Sequence, residues 1–116
     1  MAISGRALID RMGALMSTGD VDALTGMYSS DAEVVLYHRV AVGREEIRGL
    51  LTISLASHGL YKVLSVDQFQ NAGDILMWDA TVETDVGFLE TTHIVILDDD
   101  GLIRRHIPRI RGYWGM

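Results

Sequence analysis

From Phe88 to Leu97 the chain alternates in polarity. Leu89, Thr91, His93, Val95 and Leu97 fall on one side of an extended segment, and Glu90, Thr92, Ile94 and Ile96 on the other. An acidic turn, DDDG, closes at Gly101, and a second alternating segment runs through LIRRH, so Phe88–His106 is predicted to be a β-hairpin. The same period of two marks Tyr61–Gln70, Ile75–Thr84 and Leu102–Tyr113, separated by the turn signals NAGD, DVG and DDDG. Nearer the N-terminus the period lengthens. Leu8, Met12, Leu15 and Met16 draw one helical stripe over Ser4–Thr18, which Gly19 stops. Asp20 is placed to cap a short second helix with Val21, Leu24, Met27 and Tyr28 inward, so that Tyr28 ends it. Ala32–Val40 reads as a first strand, with Leu36 and His38 on the face of Val34. Gly43 opens a third helix, with Glu45 and Glu46 in its first turn and Gly59 beyond its end.

Three helices, a strand inserted between the second and third, and a four-strand meander predict an α+β domain: helices packed in a strongly curved, mostly antiparallel sheet. The 116 residues form one domain, with no linker, repeat or low-complexity segment.

Composition removes several classes of function. The net charge is −6 and the ten basic residues never cluster, so no nucleic-acid partner is expected. No cysteine is present, which excludes disulfides, thiolate metal sites and cysteine nucleophiles. Arg6, Asp10 and Arg11 interrupt the N-terminal segment, so neither a signal peptide nor a membrane span is expected, and the cytoplasm is the default location.

The phrases GDVDALTGMYSSDAEV and VGREEIRGLL, the hairpin HIVILDDDGLIRRH and the tail RGYWGM together resemble the NTF2-like superfamily, in particular its SnoaL-like and ketosteroid-isomerase-like members. The resemblance spans nearly the whole chain. It implies a cone whose bent sheet wraps the first helix around an apolar pocket, and a homodimer formed across the outer sheet face. It does not imply one activity, since isomerases, cyclases, dehydratases, epoxide hydrolases and non-catalytic proteins share the fold. Ketosteroid isomerases need a carboxylate base, with a tyrosine and a protonated aspartate to stabilise the oxyanion. By position these places are held here by Leu36, Met12 and His93, which argues against a standard isomerase of that kind.

His93 is the leading candidate for a catalytic group, as an imidazole among apolar neighbours; the competing reading is a core histidine satisfied by a hydroxyl such as Thr91. His106 shares its sheet face on the next strand, so the two rings can share a proton network, unless Arg104, Arg105 and His106 simply mark a wet strand end. Tyr28 matches a family tyrosine facing the pocket, where it serves as a hydrogen-bond donor or as an aromatic plug. Met12, Met16, Leu36, His38, Trp78, Val95 and Ile110 are the expected pocket lining. His58 is assigned to the helix C-terminus, where the dipole favours it.

No HxH or HxxxH pair occurs, so no metal is expected, and no cofactor. Asp79, Thr81 and Glu83 on one strand and Arg105, Arg109 and Arg111 on another face outward as cross-strand ion pairs, unless Pro108 forms a bulge that turns Arg109 inward. In that event Asp79 and Arg109 form an epoxide-hydrolase-like pair. The leading expectation is cofactor-free acid/base chemistry of isomerase, cyclase or dehydratase type on a small apolar oxygenated molecule such as a polyketide, steroid or terpenoid. The alternative is a non-catalytic ligand-binding or dimerisation module.

Overall fold

The computed structural model describes residues 5–115 of the chain. Ser4, where the helical pattern begins, and Met116 of the terminal RGYWGM lie outside the described residues. The order is α1 (Gly5–Thr18), α2 (Val21–Thr25), β1 (Tyr28–Val35), β2 (Val40–Val42), α3 (Gly43–His58), β3 (Lys62–Ala72), β4 (Ile75–Thr84), β5 (Gly87–Leu97) and β6 (Ile103–Gly115). The six strands form one sheet ordered β2-β1-β6-β5-β4-β3, and only the β1–β6 pairing is parallel.

Two expectations at the N-terminal end are corrected. Tyr28 does not end the second helix: α2 stops at Thr25, and Tyr28 opens β1 opposite Ile103. The expected strand Ala32–Val40 is split, with β1 ending at Val35 and a turn closed by the Leu36 N–H on the Arg39 carbonyl at 2.9 Å. The polar Ser29–Asp31 stretch looked like a break; it lies within β1 but in the register shift between Tyr28 and Glu33, where the pairs with β6 on either side carry the strand across it. The predicted cap is present: the Asp20 carboxylate accepts from the Ala23 N–H at 3.0 Å.

The strands alternate as their pattern requires. In β4, Leu76, Trp78, Ala80 and Val82 are buried, and in β5, Leu89, Thr91 and Val95. These face Leu8 and Ile9 of α1, Leu24 of α2 and Ile47 of α3, so the sheet curls around the helices. Register shifts in β3 at Val63/Ser65 and Asp67/Gln70, and between β5 and β6, supply the local bends that such curvature needs.

Pro108 is accommodated without a bulge. His93 lies opposite Pro108 and Thr92 opposite Arg109 in unbroken succession, and the two β5–β6 irregularities fall instead at Arg111, between Ile110 and Gly112, and at Arg104, between Ile103 and Arg105. The parallel pairing of β6 with β1 has ended before Pro108, so on that side no neighbour asks for the missing N–H. The outer face carries ion pairs, but of those expected only Arg111 with Asp79 forms; Glu83 and Arg109 are in no ion pair among the described residues, and Arg109 lines the inner cavity instead, with no bulge to turn it. Arg105 holds Glu33 at 2.8 Å, and Arg111 reaches Glu90 at 3.2 Å and Asp79 at 3.8 Å. Among the described residues no helix is long and apolar enough to cross a membrane.

Candidate active site

The concave face of the sheet and the helices enclose a cavity of about 390 Å³. Met12, Met16, Leu36, His38, Trp78 and Ile110 line it, as expected from the sequence; Leu36 and His38 do so from the turn after β1. Val95 does not. It is fully buried in the core one alternation beyond His93, where packing has already closed.

Four side chains on three strands meet in one hydrogen-bonded column on the cavity wall. Tyr28 Oη lies 2.9 Å from His106 Nδ1, His106 Nε2 lies 2.9 Å from His93 Nδ1, and His93 Nε2 lies 3.0 Å from Thr91 Oγ1. The Thr91 hydroxyl ends the column on the Ala80 carbonyl at 3.4 Å. Strand pairing produces this arrangement. Parallel β1 and β6 bring Tyr28 beside His106, and antiparallel β5 and β6 set Val95 opposite His106 and His93 opposite Pro108, which makes the two imidazoles diagonal neighbours on the inner face. The Trp78 indole stacks on His93 with ring centres 4.9 Å apart, covering one face of the imidazole.

Counting protons gives the column a direction. A carbonyl only accepts, so the Thr91 O–H donates to Ala80 and its oxygen accepts from His93 Nε2–H. His93 Nδ1 then accepts from His106 Nε2–H, and His106 Nδ1 accepts the Tyr28 hydroxyl proton. Four protons serve four bonds with both imidazoles neutral. Electrostatics agree with that state. Burial pushes His93 down to about 4, partly offset by the Asp79 carboxylate, and pushes His106 well below the ordinary imidazole range, with His93 adding to the effect. Burial also raises the Tyr28 phenol.

Chemically, neither histidine keeps a free nitrogen. The link that yields most readily is the last one, because a 3.4 Å bond from Thr91 to Ala80 is long for O–H···O. A ligand carbonyl in the cavity can take over the Thr91 proton while the rest of the column stays intact. Thr91 then presents a hydroxyl polarised by His93 Nε2–H, the kind of fixed donor that stabilises a developing oxyanion.

The residues assigned to a hydrolase-like pair do not meet. Asp79 stays on the outer face, accepting from Thr92 at 2.7 Å, whereas Arg109 donates to the Val35 and Pro108 carbonyls at 2.8 Å each and lies over the Tyr37 ring at 4.5 Å. Arg109 and Tyr37 both contribute to the cavity lining from this end of β1. The cavity also reaches Ser54, His58 and Tyr61, which sequence reasoning passed over. His58 had the signature of a helix terminus, and nothing local signals that the end of α3 faces the cavity. No group of three or more metal-ligating side chains is found among the described residues.

No protein-family model matches the chain, and no curated protein is significantly similar to it in sequence. Solved structures do match. A proposed polyketide cyclase from Sinorhizobium meliloti superposes with a TM-score of 0.76 at 19% identity, over 89% of this chain and 94% of that one. An NTF-2 like protein of unknown function from Burkholderia xenovorans superposes with a TM-score of 0.74 at 16% identity, over 90% and 80% of the two chains. The chain has the NTF2-like fold. A further match is SalBIII, an epoxide hydrolase/cyclase-like enzyme with a role in pyran ring formation in the polyether salinomycin, with a TM-score of 0.79 at 15% identity over 94% and 95% of the chains. Among NTF2-like proteins, then, its structural neighbours include cyclase-type enzymes, at identities that speak for the fold alone.

Proposed function

We propose that the protein is an acid/base pocket enzyme of cyclase or isomerase type, acting on a small apolar molecule that carries a carbonyl or comparable oxygen. The observation that carries this reading is the directed Tyr28–His106–His93–Thr91 column, set in the wall of a cavity that is otherwise apolar. A substrate oxygen replaces the Ala80 carbonyl as the acceptor of the Thr91 proton, and His93, His106 and Tyr28 polarise that hydroxyl from behind, each keeping its own proton. The cyclase-type neighbours support a reaction of this class, with polyketide-like, steroid or terpenoid skeletons as the chemical range.

A minimal test needs no knowledge of the natural substrate. With 2-acetonaphthone in D2O, the protein is expected to accelerate deuterium incorporation at the α-carbon, solvent base taking the α-proton while Thr91 stabilises the enolate oxygen, and His93→Gln to lower the acceleration by about a hundredfold, the usual effect of disturbing an oxyanion donor. Acceleration unchanged by His93→Gln would remove His93 from the chemistry. One observation favours the non-catalytic alternative: the column is complete by itself, with no buried side-chain polar atom lacking a partner among the described residues. Binding of the ketone without any exchange above buffer would decide for that alternative.

We also propose that a second copy of the chain covers the outer sheet face. Met77, Ile94 and Ile107 lie in register across β4, β5 and β6, with Ile75 and Ile96 beside them. Arg105, Arg111, Asp79 and Glu90 give this face both signs of charge, which suits a self-complementary contact.

A further inference from the structure

The cavity has a second polar place, on a wall separated from the column by the apolar inner face of β4. Ser54 and His58 stand on the last turns of α3, and Tyr61 precedes β3. Ser54 Oγ lies 2.7 Å from Tyr61 Oη, Tyr61 Oη lies 3.2 Å from His58 Nδ1, and His58 Nδ1 lies 3.2 Å from the Ser54 carbonyl. The His58 ring meets the Tyr61 ring edge-on at 5.9 Å. The turn after β4 holds the helix end in place, since the Asp85 N–H donates to the His58 carbonyl at 2.9 Å.

Here the proton count does not close. The Ser54 carbonyl only accepts, so His58 Nδ1 carries the ring proton and shares it between that carbonyl and Tyr61 Oη. The Ser54 and Tyr61 hydroxyls make one bond between them. That uses one of their two protons and leaves the other. With the one ring proton on Nδ1, His58 Nε2 offers an unshared pair, and it has no hydrogen-bond partner among the described residues. One spare donor and one spare acceptor therefore stand together on side chains that line the cavity.

We infer that Ser54, His58 and Tyr61 form a second subsite that takes a hydroxyl group of the ligand. A hydroxyl fits because it gives one hydrogen bond, to His58 Nε2, and accepts one, from the spare hydroxyl; an ether or ketone can use only half of the site. This deepens the reading of the cavity as a substrate pocket and rests on it. The substrate class narrows accordingly, to an apolar skeleton oxygenated at two separated positions: a carbonyl-type acceptor against Thr91 and a free hydroxyl against Tyr61 and His58.

The test is calorimetric binding of two probes, 2-acetonaphthone and 6-hydroxy-2-acetonaphthone. The wild-type protein is expected to bind the hydroxylated probe about tenfold more tightly, the effect of one good hydrogen bond beyond its exchange with water. Tyr61→Phe should bring the ratio of affinities toward one, and so should His58→Asn, with circular dichroism confirming that each variant is folded. Equal affinities in the wild type, or a preference that survives both substitutions, overturns the subsite while leaving the pocket reading standing. A preference lost in His93→Gln but kept in Tyr61→Phe puts the hydroxyl on the column and likewise overturns it. If neither probe binds, the pocket reading falls and the subsite with it.

Discussion

Acidification should unfold this protein earlier than its carboxylates alone would dictate, because the column tolerates no extra proton. In the unfolded chain His93 and His106 titrate near 6.5; in the folded chain His93 is held at about 4 and His106 well below the ordinary range. Both groups are depressed, so below pH 6.5 the unfolded chain binds protons that the folded chain refuses. Stability is therefore complete above about 6.5 and is lost as pH falls toward 4. A histidine kept neutral costs about 1.36 kcal/mol for each pH step of one below 6.5, so between pH 7 and 5 each contributes a loss of about 2 kcal/mol and the two together about 4 kcal/mol. For a domain of this size that lowers the melting temperature by about 15 °C. Urea unfolding at half-unit steps of pH measures the slope directly. The carboxylate background cancels in a comparison with His93→Gln, which should lose only about half of the histidine-dependent stability over the same interval. If wild type and variant lose stability in parallel, the fold does not hold His93 neutral, and the directed column is wrong.

Other perturbations have outcomes of known sign. Tyr28→Phe removes the donor to buried His106 Nδ1 and should cost about 1–3 kcal/mol in chemical denaturation, whereas a cost near zero would mean that the phenol was not its partner. Gly87→Ala should be among the most damaging single changes: Gly87 has φ 152°, and an added Cβ would lie 2.4 Å from the Trp114 carbonyl oxygen. A variant that melts with the wild type would contradict that backbone geometry. Ile94→Glu on the outer face should convert a dimer to a monomer in sedimentation equilibrium; a wild-type protein that is already monomeric at tens of micromolar rules out the proposed contact.

How far the sequence reached depends on the range of the interaction. Period-two patterning placed His93 and His106 on one face because strand alternation is local and Gly101 fixes the count between them. It also named Thr91 as a hydroxyl that could satisfy His93, and the structure pairs the two at 3.0 Å. Tyr28 was selected as a pocket residue but assigned to the wrong element, because its place in a strand comes from parallel pairing with Ile103 of β6, near the other end of the chain. Leu36 and His38 reach the cavity from a turn because the chain reverses after Val35 to pair β2 back on β1. Ser54, His58 and Tyr61 were invisible as a group. Each has an ordinary local role, and only the packing of α3 across the cavity brings them together.

The end of β1 at Val35 has a consequence for how the molecule keeps to itself. From Pro108 onward β6 is bordered on one side only, and a bare strand edge invites pairing by a passing chain. Proline withholds a donor at the first free position, and the Arg109 guanidinium folds back over Tyr37 to occupy the Val35 carbonyl. The cavity lining and resistance to fibrous self-association thus draw on the same few residues. A lineage that replaced Pro108 to reshape the cavity would also be loosening a guard against aggregation.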